Sequence, residues 1–125
     1  MKDSAKIKTG KEGERIAAEF LKKNGYRIIE TNFRCAIGEI DIIACEKNEL
    51  VFIEVKTRTS GELGFPEQAV GIKKQKKMSQ LALWYLQKKN IKDGPTRFDV
   101  LAIMILPAGN EITLIKNAFD FAADQ

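Results

Sequence analysis

Between residues 38 and 58 apolar positions recur in two runs, one from Ile40 through Ala44 and one from Leu50 through Val55, parted by the polar Glu46-Lys47-Asn48-Glu49. Runs rich in Ile, Val and Phe on either side of such a tetrapeptide read as a β-hairpin, because asparagine tolerates the left-handed backbone a tight reversal needs. With Lys47 and Asn48 as the two turn residues, Asp41 stands opposite Glu54 and Glu39 opposite Lys56. A four-residue loop gives the same register, whereas a three-residue loop would move Asp41 to the other face. Since strand side chains alternate, one face carries Ile40, Ile42, Ala44, Val51, Ile53 and Val55, an apolar surface for a core. The opposite face carries Glu39, Asp41, Glu54 and Lys56 among Ile43 and Phe52.

The remaining pattern supplies the other elements. Residues 9–24 read as a helix whose apolar stripe is Ile16, Ala17, Phe20 and Leu21, stopped by Asn24-Gly25. Residues 26–34 make a first strand, and residues 57–66 a polar, glycine-rich loop. A long helix follows from Pro66 or Ile72 to Lys89, with Met78, Leu81, Ala82, Tyr85 and Leu86 on its core face, and Trp84 and Tyr85 read as core and rim aromatics ahead of base-stacking platforms. Residues 97–106 are a near-continuous apolar run, the mark of a strand central in its sheet and, after a helix, of a crossover connection. Residues 111–115 form a short strand and residues 117–123 a brief terminal helix. The expected fold is therefore a mixed α/β domain spanning residues 1–125, in the order α-β-β-β-α-β-β-α, with a mixed sheet between helices.

Charged groups now change the picture. Opposed carboxylates on strands with apolar neighbours repel and lose hydration, and Lys56 offsets only part of that. Oxygen ligands of this kind suit a hard divalent ion, Mg2+ or Mn2+, held by Asp41 and Glu54, and a lysine beside such an ion suits phosphate chemistry. The plainer reading makes Glu54 and Lys56 a solvated edge pair and has Asp41 salt-bridged elsewhere. Glu14 breaks the stripe of the first helix, beside Gly10 and Gly13, which leave room for a backbone or a phosphate. It reads either as a first-turn glutamate favoured by the helix dipole or as a third acid over the metal. Lys73, Lys74, Lys76 and Lys77 crowd the start of the second helix, a group placed to meet a phosphate backbone, although a charge run is ordinarily a solvated face.

Composition narrows the chemistry further. The chain has no histidine, which removes Ser-His-Asp and Cys-His nucleophilic mechanisms and histidine-based nucleases. Cys35 and Cys45 are the only cysteines and lack metal-finger spacing, so free thiols are expected. An apolar share of 44% indicates a folded domain, and no apolar run reaches membrane-spanning length. The first residues lack the apolar core of a secretory signal, so a cytoplasmic location and no membrane partner are expected. The net charge of +4 is compatible with a polyanionic partner without requiring one.

With Asp41, Glu54 and Lys56 in place, the chain resembles the PD-(D/E)xK superfamily, whose restriction-endonuclease-like fold includes archaeal Holliday junction resolvases. It resembles the bacterial YraN family more closely, through Gly-Glu-Arg-Ile-Ala-Ala from Gly13, Asn-Phe-Arg from Asn32, Gly-Glu-Ile-Asp-Ile-Ile-Ala from Gly38 and Val-Phe-Ile-Glu-Val-Lys-Thr-Arg from Val51. The likeness continues through Ala-Val-Gly-Ile-Lys-Lys-Gln from Ala69, Arg-Phe-Asp-Val from Arg97 and Ile-Lys-Asn-Ala-Phe from Ile115. Ile40 stands where the superfamily motif has proline, which removes no ligand. The resemblance implies a metal-dependent DNA endonuclease with Glu14, Asp41, Glu54 and Lys56 as catalytic residues. It further implies Asp41 and Glu54 on Mg2+ or Mn2+, Arg58, Lys73, Lys74 and Lys77 on DNA at branches, nicks or ends, and a homodimer able to cut two strands. The alternative is a DNA-binding or DNA-processing accessory protein that keeps the fold and does not cleave.

Overall fold

The computed structural model describes residues 2–59 and 70–122, with side chains from residue 10 onward. Helix α1 spans Lys2–Lys23, and strands β1 (Arg27–Cys35), β2 (Gly38–Glu46) and β3 (Glu49–Thr59) follow. After them come helix α2 (Ile72–Lys88) and strands β4 (Thr96–Leu106) and β5 (Gly109–Phe119). The strands form one sheet in the order β1-β2-β3-β4-β5. Among the described strands β3 and β4 run parallel, joined through α2, and the other three pairs are antiparallel. This mixed sheet is consistent with the restriction-endonuclease-like core expected from the sequence.

The helices lie on opposite faces because each has one apolar stripe to bury. Ile16, Ala17 and Leu21 of α1 pack on Ile42, Ala44, Val51, Ile53, Leu101 and Ile103. Met78, Leu81, Ala82 and Tyr85 of α2 pack on Phe33, Ile40, Ile43, Phe52 and Phe98. Helix α1 stops where Asn24-Gly25 predicts, since Gly25 takes φ 90° and Asn24 Nδ2 donates to the Phe20 carbonyl at 2.7 Å. The β2–β3 reversal is a two-residue turn with Lys47 and Asn48 at φ 49° and 71°, and the register that follows pairs Ile42 with Ile53 and Glu46 with Glu49.

Four expectations need correction. Helix α1 begins at Lys2 rather than Thr9, which puts Glu14 in the helix interior and not in a first turn. Ile40 does not share the face of Ile42: it packs under α2 while Ile42 packs under α1, so the alternation slips by one residue at Asp41. The terminal helix is absent among the described residues up to 122. Strand β5 instead continues to Phe119, whose ring stacks on Phe98 at 4.7 Å, and Asn117 makes the necessary bulge at φ 51°. Thr57, Arg58 and Thr59 belong to β3 rather than to a loop, while the rest of the expected loop, and Pro66 as a helix start, lie outside the described residues. Cys35 and Cys45 are free and half-buried. No helix among the described residues is long and apolar enough to cross a membrane.

Candidate functional site

The sheet is continuous at one end and forked at the other. Pairing between β2 and β3 ends at Ile42–Ile53. Beyond it the start of β2 pairs only with β1, through Phe33–Ile40, Arg34–Glu39 and Cys35–Gly38, and the end of β3 pairs only with β4, through Glu54–Val100 to Thr59–Ile105. Separating strands leave backbone groups that need other partners. Asp41 supplies one: its Oδ2 accepts the Val55 N–H at 2.8 Å across the fork. The same departure from regular pairing turns Ile40 to the α2 side, so the slip in alternation and the placing of Asp41 have one cause.

Helix α1 delivers a further acid to this fork. Carboxylate oxygens of Glu14, Glu39 and Asp41 all lie within 4.8 Å of one another, and all three side chains are half-buried. The helix comes this close because Gly13 packs directly on β3. A Cβ built on Gly13 would stand 2.0 Å from Thr57 Oγ1 and 3.0 Å from Thr57 Cβ. In an ordinary helix interior Gly→Ala stabilises by roughly 0.5–1 kcal/mol. Here Gly13→Ala is expected to destabilise by about 1–3 kcal/mol, because rotating the threonine relieves only the hydroxyl contact. Urea unfolding checks the sign, and an unchanged or higher midpoint would show that α1 does not depend on this approach.

Glu54 enters the fork from the α2 face and is almost fully enclosed, at 5% exposure. Its Oε2 lies 3.2 Å from Lys56 Nζ and 3.4 Å from Lys74 Nζ. Glu39 is paired on its outer side with Arg34 Nε at 2.5 Å. Among the described residues, the ion pairs and the acid cluster thus bring four carboxylates together with three cations, two of them on Glu54. Asp41 carries the excess: its pKa is raised to about 7, first by burial, then by the charge of Glu54, with smaller contributions from Glu14 and Glu39 and against the Val55 hydrogen bond. Such a group is held ionised at neutral pH by an added cation, and the donors are all hard oxygens.

The structure thus brings Glu14, Asp41, Glu54 and Lys56 to one fork. It adds Glu39, which the register put on the same face but which the ligand set omitted. The basic residues divide. Lys74 faces the carboxylates, while Lys73 and Lys77 are exposed on the outer part of α2, where Lys77 Nζ donates to the Ile37 carbonyl at 3.1 Å. Arg58 is half-buried on β3 and its Nη1 donates to the Thr57 carbonyl at 3.1 Å.

A model of the family described as "Uncharacterised protein family UPF0102" matches residues 13–103, the interval that contains the whole fork. The chain belongs to the UPF0102 (YraN) family. Among its relatives, a UPF0102 protein of Syntrophus aciditrophicus is 49% identical over 116 residues, covering 93% of this chain and 91% of that one. Another, of Caldanaerobacter subterraneus subsp. tengcongensis, is 45% identical over 122 residues, covering 95% of this chain and 100% of its own length. A third, of Thermodesulfovibrio yellowstonii, is 48% identical over 115 residues, covering 92% of this chain and 98% of that one.

In this UPF0102 chain the opposite end of the sheet holds a second charged group that the sequence reading did not single out. Arg97 donates to Asp99 Oδ1 at 2.9 Å, Glu46 Oε1 at 2.6 Å and Glu49 Oε1 at 2.7 Å. Tyr26 Oη donates to Asp99 Oδ2 at 2.7 Å, and Lys116 Nζ reaches Glu46 Oε2 at 2.8 Å. Burial, and then the Asp99 carboxylate, push the Tyr26 phenol far above its ordinary range, so it stays a donor. Among the described residues no buried side-chain polar atom is left without a partner, and this network reads as structural. The available signal was Arg97 and Asp99, opposite charges two positions apart in an otherwise apolar strand, and hence on one face.

Proposed function

We propose that this UPF0102 protein is a divalent-metal-dependent phosphodiesterase acting on DNA. The observation that carries the reading is the convergence of Glu14, Glu39 and Asp41, drawn from α1 and β2, at a fork whose other arm presents Glu54 and Lys56. The likeness of Asp41, Glu54 and Lys56 to the PD-(D/E)xK motif, and of Glu14 to the first-helix glutamate of resolvases, supports it. The electrostatics of the site also support it: in the network around Arg97 the cations Lys116 and Arg97 hold Glu46 below the ordinary carboxylate range, whereas at the fork burial and the neighbouring carboxylates push Asp41 up to about 7. Glu14, Glu39, Asp41 and Glu54 would hold Mg2+ or Mn2+, and Asp41 has Oδ1 to offer once Oδ2 has accepted the Val55 N–H.

When bound, such an ion supplies positive charge at a phosphodiester and acidifies water near neutral pH. The chain's own residues do the rest. Lys56, fixed against Glu54, is placed to orient the attacking water and to offset charge that grows on the phosphate oxygens. Lys74 brings a second ammonium from α2 to the same carboxylate, where a phosphate would exchange for it.

The test is cleavage of duplex, nicked, flapped and four-way-junction DNA with Mg2+ or Mn2+, run beside Glu54→Gln. Cutting by the native protein and a loss of at least about a hundredfold in the variant is the expected result, because the variant lacks a ligand for the ion that would stabilise transition-state charge. Equal cutting by both would sink the assignment. DNA binding without cutting by either would favour the accessory-protein alternative.

A further inference from the structure

We infer that Trp84 is a stacking platform for an unpaired base, and that α2 guides a single-stranded segment of polynucleotide away from the carboxylate fork. The inference rests on the phosphodiesterase reading for its choice of ligand, and on the surface of α2 for its geometry.

Tyr85 is 3% exposed and sits in the α2-side core, whereas its neighbour Trp84 is 46% exposed. A large, rigid aromatic left this open contributes little to packing and offers a face to solvent. Helical periodicity decides its company. At about 100° per residue, Lys73, Lys77, Trp84 and Lys88 fall within about 60° of one another around the α2 axis. Lys74 lies in the adjoining column with its ammonium 3.4 Å from Glu54 Oε2, and Trp84 is about 15 Å further along the helix. A basic stripe thus begins beside the fork and ends on an indole.

The flanking lysines are held rather than loose. Lys77 Nζ is hydrogen-bonded to the Ile37 carbonyl at 3.1 Å, and Lys88 Nζ stands 5.7 Å from the centre of the Phe33 ring. Ammonium groups spaced along a helix around one exposed indole match a strand that presents phosphates and unstacked bases together. A duplex offers the phosphates but keeps its base faces covered. An apolar protein surface would have to strip water from the lysines without replacing it.

Trp84 is the only tryptophan in the chain, so its fluorescence reports on this position alone. The native protein in EDTA is titrated with single-stranded oligothymidylate, with a blunt hairpin duplex and with inorganic polyphosphate. Saturable quenching by the oligothymidylate, and none by the other two, is expected. Anisotropy of a labelled oligothymidylate should show affinity about five- to a hundredfold weaker in Trp84→Leu and largely retained in Trp84→Phe. Affinity for the blunt duplex should not change, and melting temperatures of all three proteins should agree.

Quenching by polyphosphate to the same extent, or unchanged affinity in Trp84→Leu, would overturn the inference. So would a concentration-dependent self-association abolished by Trp84→Leu, which would give the surface to a second copy of the chain. Metal-dependent cleavage without quenching removes this inference and leaves the phosphodiesterase reading. Quenching without cleavage or metal binding does the reverse.

Discussion

Asp41→Asn stabilises the metal-free protein at about pH 8 by about 2–4 kcal/mol and at the same time removes its response to Mn2+. The sign follows from the direction of the shift. The folded-state pKa of Asp41 is about 7 against an ordinary value of 3.8, so across that interval the folded protein keeps a proton that the unfolded chain has released. Stability therefore falls as pH rises from about 4 to about 7, and the full penalty stands above it. Asparagine cannot ionise, yet it retains an oxygen for the Val55 N–H. Some solvent reaches this half-buried group, which places the effect below the full value of a shift of this size. Urea unfolding with EDTA at about pH 4.5 and pH 8 should show variant and wild type converging at the lower pH. In excess Mn2+ at pH 8 only the wild type should gain stability. A variant that loses stability equally at both pH values would mean that a cation of the protein already neutralises Asp41, and the metal reading would fall with it.

Asp99→Ala costs about 3–5 kcal/mol and lowers the melting temperature by roughly 10–25 °C. Asp99 has no exposed surface, and it accepts from Tyr26 Oη at 2.7 Å, from Arg97 Nε at 2.9 Å and from the Asn117 N–H at 2.9 Å. Its removal leaves the buried Arg97 guanidinium with less countercharge and the Asn117 bulge without its acceptor. The damage should therefore extend to the last residues of β5, which depend on that bulge to bring Phe119 onto Phe98. Hydrogen exchange should show protection lost there first. Replacing Arg97 and Asp99 together by apolar residues should cost at least as much, because Tyr26 Oη then loses both its partners and buried Glu46 keeps only Lys116. A loss under about 1 kcal/mol in the single variant would show that the network is solvated in solution.

Much of the site was legible because β-strand periodicity is a local rule. Turn residues Lys47 and Asn48 and the alternation of Ile, Val and Phe are enough to align β2 with β3, and that alignment puts Asp41 near Glu54 and Lys56. The ends of that alignment were not legible. The regular register pairs Asp41 with Glu54 and gives Ile40 the same face as Ile42. In the folded sheet the two strands have parted by then, each held by its outer neighbour. The last residues misled for a related reason: Asn117-Ala118-Phe119 has no strong local preference, and a partner on β4, Phe98 with Asp99 beside it, draws it into the sheet.

By itself, the sequence determined two helices and five strands in their order, the β2–β3 register next to the turn, and the presence on those elements of the acids and lysines that gather at the fork, since each is set by neighbours along the chain. Only the tertiary structure decided that the sheet forks at Ile42–Ile53, that Gly13 lets α1 set Glu14 beside Asp41 and Glu39, and that Arg97 and Asp99 close a buried network. Those outcomes depend on which strand wins each backbone hydrogen bond and how closely a helix can approach. Both are settled between segments distant in sequence, where periodicity has no reach.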